Sequence, residues 1–274
     1  MYRDLAMKKR FILCIILVLL VSSPLLAVEL KFNTQDFSPF SYLSDGKVSG
    51  PASEIIKAVC RRINATCTFK LGVWKDAQQE VREGKANAMF VIGWNRGRSK
   101  WLYFSPQILQ TEYGFFVPKG NSLTFSEIRD LSGYRIGVYG PSNTARSLEK
   151  VRQRMEKDKT MTPIEIDMQP DDIAIFKNLN SRQRTLNSVF SNRDVGNDII
   201  RKHKLNNLRY AGAQRTLNYF IGFSKQYTDK NLVNRFNKAF VNLYTQGQIE
   251  QILKRYAMKP APIEPYIIAF YNNK

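Results

Sequence analysis

Val28, Leu30, Phe32 and Thr34 alternate with charged or polar neighbours, the period-two pattern of a strand with one buried face. Ile55, Ile56, Val59, Cys60 and Ile63 then fall on one helical face, with Ser53 placed to cap it. A short strand over 68–71, a helix over 77–83 ended by Gly84, and an apolar strand over 86–92 continue the alternation. Residues 113–117 read as a strand, and Pro118-Lys-Gly-Asn121 as a break. A second unit begins beyond it, with a helix from Ser126, a turn at Ser132-Gly133 and a strand over 135–139. Gly140-Pro-Ser-Asn-Thr144 opens a helix there, whose charged stretch 153–158 reads as an exposed end. Residues 164–168 and 188–190 supply further strands, and 218–225 a strand that mirrors 113–118. Leu232, Val233, Phe236, Ala239, Phe240, Leu243 and Tyr244 keep a 3.6-residue period up to Gly247. Ile249, Ile252, Leu253 and Tyr256 continue on a shorter helix, and these aromatics are core packing. Strands alternating with helices predict an α/β class with a parallel sheet.

The first 27 residues read differently. Lys8-Lys9-Arg10 precede the unbroken apolar run 11–21, Ser22-Ser23-Pro24 break it, and Ala27 stands at a cleavage position. This is the pattern of a cleavable signal peptide, with Met1 and Met7 both open as starts and the cleavage site open as well. The apolar run is short for a membrane span, so export to the periplasm is expected.

The chain of 274 residues carries a formal charge of +19. Residues 1–27 hold Arg3, Lys8, Lys9, Arg10 and Asp4, so the charge falls to +16 without them, over about 247 residues. That length suits two lobes. The excess charge can steer anions or hold the protein near a negative membrane surface, or it can be solvated surface, because the basic residues are spread along the chain. An exported chain does not meet nucleic acid, so none is expected as a partner. Cys60 and Cys67 would sit in an oxidising compartment, which leaves a disulfide and two buried thiols both open. The single His203 stands in a basic run, and neither a zinc site nor a Ser-His-Asp arrangement can be assembled around it. No metal or cofactor is expected.

The candidate chemistry centres on Arg98, in Gly-Arg-Ser-Lys-Trp-Leu-Tyr-Phe-Ser-Pro at 97–106. It follows an apolar run, and an arginine at the end of a buried strand costs desolvation unless an anion answers it. A nearby Asp or Glu would serve, and so would a ligand carboxylate, whose two oxygens fit the planar guanidinium fork. Around it stand Asp36-Phe-Ser-Pro-Phe-Ser-Tyr42, Asp45-Gly46-Lys47, Gly50-Pro-Ala-Ser-Glu54, Trp74 and Arg82-Glu-Gly-Lys-Ala-Asn-Ala88. Their order, with Phe236-Asn237 and Lys254-Arg255-Tyr256 near the end, resembles the extracellular solute-binding proteins of family 3, periplasmic receptors of polar amino-acid uptake, from about residue 29 to 258.

The resemblance implies a type II periplasmic-binding-protein fold, with two α/β lobes, two hinge strands and a ligand cleft between the lobes. Lobe 1 would be 28–115 plus 222–274 and lobe 2 116–221. It implies that Arg98 takes a ligand carboxylate, helped by Gly93 and the loop Ser142-Asn143-Thr144. Phe37 or Phe40, with Trp74 or Trp94, would clamp the rest of the ligand. The family's second-lobe acid, which takes a ligand ammonium, is replaced by Asn192, with Asp194 the alternative under a different register. Asn87 and Asn95 are two further departures, the first for an acid and the second for a hydroxyl residue. An amide accepts a hydrogen bond but brings no charge, so a carboxylate without a free α-amino group is the expected ligand. The expected function is non-enzymatic capture of a small polar ligand by a monomer, for an ABC permease. Ligand sensing for a membrane partner is the alternative, and dehydration of cyclic acids a third class for which Asn87 and Asn192 remove natural acid–base candidates.

Overall fold

The computed structural model describes residues 28–181 and 186–273; the expected signal peptide, 1–27, lies outside them. The first lobe is built on β1 (Val28–Thr34), β4 (Ala65–Leu71) and β5 (Ala88–Ile92), which pair in parallel. The hairpin β2 (Tyr42–Ser44) and β3 (Lys47–Ser49) precedes helix α1 (Pro51–Arg62), and α2 (Trp74–Arg82) links β4 to β5. After β5 come the short α3 (Arg96–Ser99) and β6 (Leu102–Phe104). Strand β7 (Leu109–Pro118) leads into the second lobe, with β8 (Arg135–Tyr139), α4 (Asn143–Lys157), β9 (Glu165–Gln169), α5 (Asp172–Ser181), β10 (Ser188–Asn192) and α6 (Arg193–Lys202). Strand β11 (Leu208–Ser224) returns to the first lobe, where α7 (Lys230–Thr245), α8 (Gln248–Lys254) and α9 (Pro265–Asn272) close the fold.

Strand order is β4-β1-β5-β11-β7-β10-β8-β9, with β6 pairing β11 off this path. The sheet is therefore mixed, where the alternation predicted a parallel one. β11 runs antiparallel to β7 through 208–219 and then antiparallel to β5 from Phe220, because a strand coming back from the far lobe must enter in the reverse sense. The expected lobe crossings, 115/116 and 221/222, fall within these two long strands. Only the end of β11 was legible as a strand. Its middle, Gln214-Arg-Thr216, is polar, and two bulges interrupt its register with β7.

Two other local readings are corrected. Ser53 does not cap α1. Gly50 holds that position with φ 105°, Pro51 opens the helix, and the Ser53 hydroxyl donates to the Gly50 carbonyl (2.9 Å). A Cβ at Gly50 would meet the Phe40 carbonyl oxygen at 2.7 Å, so the glycine lets this helix start against the Phe37–Phe40 loop. The helix from Ser126 is a single 3₁₀ turn, Ile128–Leu131. There Ser126 and Glu127 give their backbone N–H groups to the Asp130 carboxylate, a local alternative to helix hydrogen bonds.

The first-lobe core joins Leu30 and Phe32 of β1, Ile55, Ile56 and Val59 of α1, and Phe236 and Phe240 of α7. The second-lobe sheet is covered on both faces, by α4 over Phe115, Ile136, Val138 and Phe190, and by α5 and α6 over Phe116 and Val189. Cys60 and Cys67 form a disulfide that ties the end of α1 to β4. Glu54 meets both Arg255 and Tyr256, so two phrases about 200 residues apart in the chain lie together on the first lobe.

Candidate functional site

Arg98 is set by its local chain. Asn95 caps α3 through its side chain, accepting from the Arg98 backbone N–H (2.8 Å), which does the work of a hydroxyl residue at that place. The guanidinium then turns back onto the end of β5, where one N–H donates to the Gly93 carbonyl at 2.8 Å. It lies over the Trp74 ring, 5.9 Å from the centroid. Among the described residues it forms no ion pair with a carboxylate, and burial lowers its pKa. A half-buried cation that spends one of its five side-chain donors on a carbonyl among the described residues has donors to offer an anion.

Phe37 and Phe40 pack together at 5.2 Å, and both rings meet Tyr219 of β11 edge-on. Phe40 is fully buried in the core, whereas Phe37 is half-exposed, so Phe37 is the ring of this pair that can reach a ligand. Of the two tryptophans, Trp74 stands beside Arg98 and Trp94 is 59% exposed on the surface.

Tyr219 joins the two lobes. Its hydroxyl lies 3.5 Å from Asn192 Nδ2, and burial, reinforced by Tyr113, pushes its pKa up, so it stays neutral. Asn192 is 3% exposed, and its side-chain oxygen is fully engaged. Its Oδ1 accepts from the backbone N–H groups of Asp194 (3.0 Å) and Val195 (3.3 Å), capping α6, and lies 2.9 Å from the Thr111 hydroxyl. That hydroxyl, with one proton to give, is also 2.5 Å from Asp194 Oδ2. Asp194 is in turn paired with Arg193 (3.3 Å), which bridges to Glu112 (3.1 Å). The two acids beside Asn192 thus share the single guanidinium of Arg193 within the second lobe.

Strand register fixes the second lobe's cleft edge. Arg215 stands opposite Tyr113, and Tyr113 opposite Asn192. Continuing the β10–β8 register three positions brings Gly140 beside Asn192, where the loop to α4 begins. Ser142 caps α4 by accepting from Ala145 N–H (3.0 Å), while Asn143 is held by Arg146 and Thr144 lies in the first turn. Backbone N–H groups of the first turn lie there at a positive helix end. The structure thus groups Arg98, Gly93 and Trp74; Phe37, Tyr219 and Asn192; and the Ser142–Thr144 turn. Tyr219, Thr111 and Arg215 were not foreseen: Tyr219 lies in a segment that read as plain sheet, and Thr111 and Arg215 lie in parts of the two long strands that did not read as sheet at all; an aromatic inside the short 218–225 strand was the available signal. Asn87 is structural, its side chain accepting from Lys31 N–H (2.9 Å).

A separate hollow of about 280 Å³ between β1, β4 and Glu80 holds none of these residues, and its Lys70 and Lys85 are paired with Glu80 and Glu83. Among the described residues no three His, Cys, Asp or Glu side chains gather as metal ligands, and no helix is long and apolar enough to cross a membrane.

The profile of the bacterial extracellular solute-binding proteins, family 3, matches residues 31–259. An arginine-binding periplasmic protein of Mannheimia haemolytica is 21% identical over 228 residues, 80% of this chain and 87% of its own. Among solved structures, a glutathione-import protein of Streptococcus mutans, GshT, superposes with a TM-score of 0.68 at 18% identity, over 86% of this chain and 98% of its own. A histidine kinase sensor domain with similarity to periplasmic binding proteins gives a TM-score of 0.64 at 19% identity, with the same coverage.

Proposed function

Because the chain belongs to the bacterial extracellular solute-binding proteins of family 3, we propose that it captures a small carboxylate-bearing ligand between its lobes and presents the closed form to a membrane importer. Arg98 carries this reading. It is a half-buried guanidinium, aimed by Asn95, anchored on Gly93 and laid over Trp74, with no carboxylate partner among the described residues. The ligand carboxylate takes its free donors, Phe37 covers the apolar part, and the Ser142–Thr144 turn closes from the other lobe. The fold supplies the motion, two lobes bending about β7 and β11.

Relatives that bind amino acids, such as the arginine-binding protein, support the ligand's size and polarity. Asn192 supports a narrower class. Its oxygen is taken by the α6 cap, and Asp194 is held by Arg193 and Thr111, so the ammonium of a free amino acid would have to compete with Arg193 for the acid nearest Asn192. Carboxylates without a free α-amino group, or acylated amino acids, therefore suit the site better than free arginine or lysine. A thermal-shift screen pairing each amino acid with its deaminated and N-acetyl forms tests this. A ligand at a hundredfold its Kd stabilises the folded state by about 2.7 kcal/mol. Larger shifts for the amine-free partners are expected; tight binding of free lysine or arginine would contradict the ligand class.

A sensing role remains the second reading, favoured by the histidine kinase sensor domain among the fold neighbours. Ligand-dependent capture of a permease, rather than of a kinase, from membranes carrying each separates the two.

A further inference from the structure

Helix α6 belongs to the second lobe, yet one of its stripes meets the first. Val195, Asp198 and Lys202 are spaced three and four residues apart and so share a face. Val195 packs against core residues of both lobes. Beyond it, the Ser38 hydroxyl, from the loop after β1, donates to Asp198 Oδ2 at 2.9 Å and lies 2.8 Å from Lys202 Nζ, a donor to it. Lys202 also pairs with Asp198 at 2.6 Å and sits 5.7 Å from the Tyr42 ring of the first lobe. Asp198 is 6% exposed and is paired with Arg201 as well.

We propose that Ser38, Asp198 and Lys202 form an interlobe latch that favours the closed arrangement before any ligand arrives. One hydroxyl proton and one hydroxyl lone pair are both used across the lobe boundary, and a charged group lies on each side of that oxygen. Opening breaks both Ser38 bonds and the Lys202–Tyr42 contact. The Asp198–Lys202 pair lies within α6 and survives, so opening strands no buried charge. The latch is consequently a bias and not a lock. It also acts on the binding residues directly. Ser38 stands between Phe37 and Phe40, whose rings pack on Tyr219, and the same helix is capped by Asn192. Parting the latch moves the aromatic loop and the second-lobe edge together. Where closure is the binding-competent state, apparent affinity falls in proportion to its unliganded population. The inference rests on the fold and these contacts and is independent of what the ligand is.

The test uses the mature protein, refolded from denaturant to remove bound ligand. Dyes are attached at Met168→Cys and Tyr266→Cys, exposed positions on opposite lobes, the native cysteines being joined in a disulfide. Single-molecule energy transfer without added ligand reads the closed-to-open ratio. Ser38→Ala, which removes only the hydroxyl, is expected to lower that ratio about threefold, and Lys202→Ala similarly. Ser38→Ala with Lys202→Ala, which removes both sides of the interlobe contact, is expected to lower it about tenfold. Far-UV circular dichroism checks each variant, and if the double variant fails to fold, Ser38→Ala decides. Distributions unchanged from the parent in the folded variants would overturn the latch.

Discussion

Asp172 shows how one residue couples this fold to pH. It opens α5, and its Oδ1 is buried without a hydrogen-bond partner among the described residues. Burial, with Asp171 beside it, raises its pKa to about 6. The folded state therefore binds a proton more tightly than the unfolded chain. Stability from this group is fully present below about pH 4 and is lost as pH rises through about 6, by about 2–3 kcal/mol. Asp172→Asn is expected to raise stability by about 1–2 kcal/mol at pH 7.5 and to change little at pH 4. Denaturant melts at the two pH values check the sign; a loss at pH 7.5 would show an unseen partner for the carboxylate. Asn192 is a second case. Asp caps helices as well as Asn, so Asn192→Asp is expected to fold and to shift ligand preference towards free amino acids, while Asn192→Ala costs about 1 kcal/mol through loss of the α6 cap. Calorimetric titration of both variants against an amino acid and its deaminated form measures this. The amide at the end of this strand was singled out in the sequence. Its use as a helix cap was not, because the helix after it is only ten residues long and has three apolar positions, Val195, Ile199 and Ile200, among charged and polar ones.

Elements were legible where one face meets a deep core. α7 was readable from its apolar stripe and ends with Gly247 in the left-handed region, φ 74°, as its place after the last periodic residue implies. Phe236 is fully buried on that stripe, so Phe236→Ala is expected to cost about 3–5 kcal/mol in a chemical melt. α3 and β6 escaped, being four and three residues long, too short for a period to show. The disulfide was open in the sequence because spacing does not fix geometry; in the fold the end of α1 and the start of β4 bring the two Cα atoms to 6.3 Å. Closing so short a loop, its removal by Cys60→Ser with Cys67→Ser is expected to cost about 2–3 kcal/mol. Equal stability of reduced and oxidised protein would contradict that.

At the scale of the molecule, the two-lobed architecture was legible through the order of short phrases, and the mixed sheet was not, since direction depends on a strand returning from the far lobe. The hinge strands carry the consequence. They join Arg98's lobe to Asn192's lobe through Tyr219, so on the proposed function a ligand held by Arg98 at one side and the Ser142–Thr144 turn at the other would also draw the lobes together. The most direct measurement is calorimetric titration of the parent and Arg98→Ala with the strongest ligand of the thermal-shift screen and with its methyl ester. The parent is expected to bind the acid and to bind the ester at least about tenfold more weakly, and Arg98→Ala, still folded, to lose at least about tenfold for the acid, about 1.4 kcal/mol. Equal affinity of parent and Arg98→Ala for the acid would remove Arg98 from the site and contradict the account.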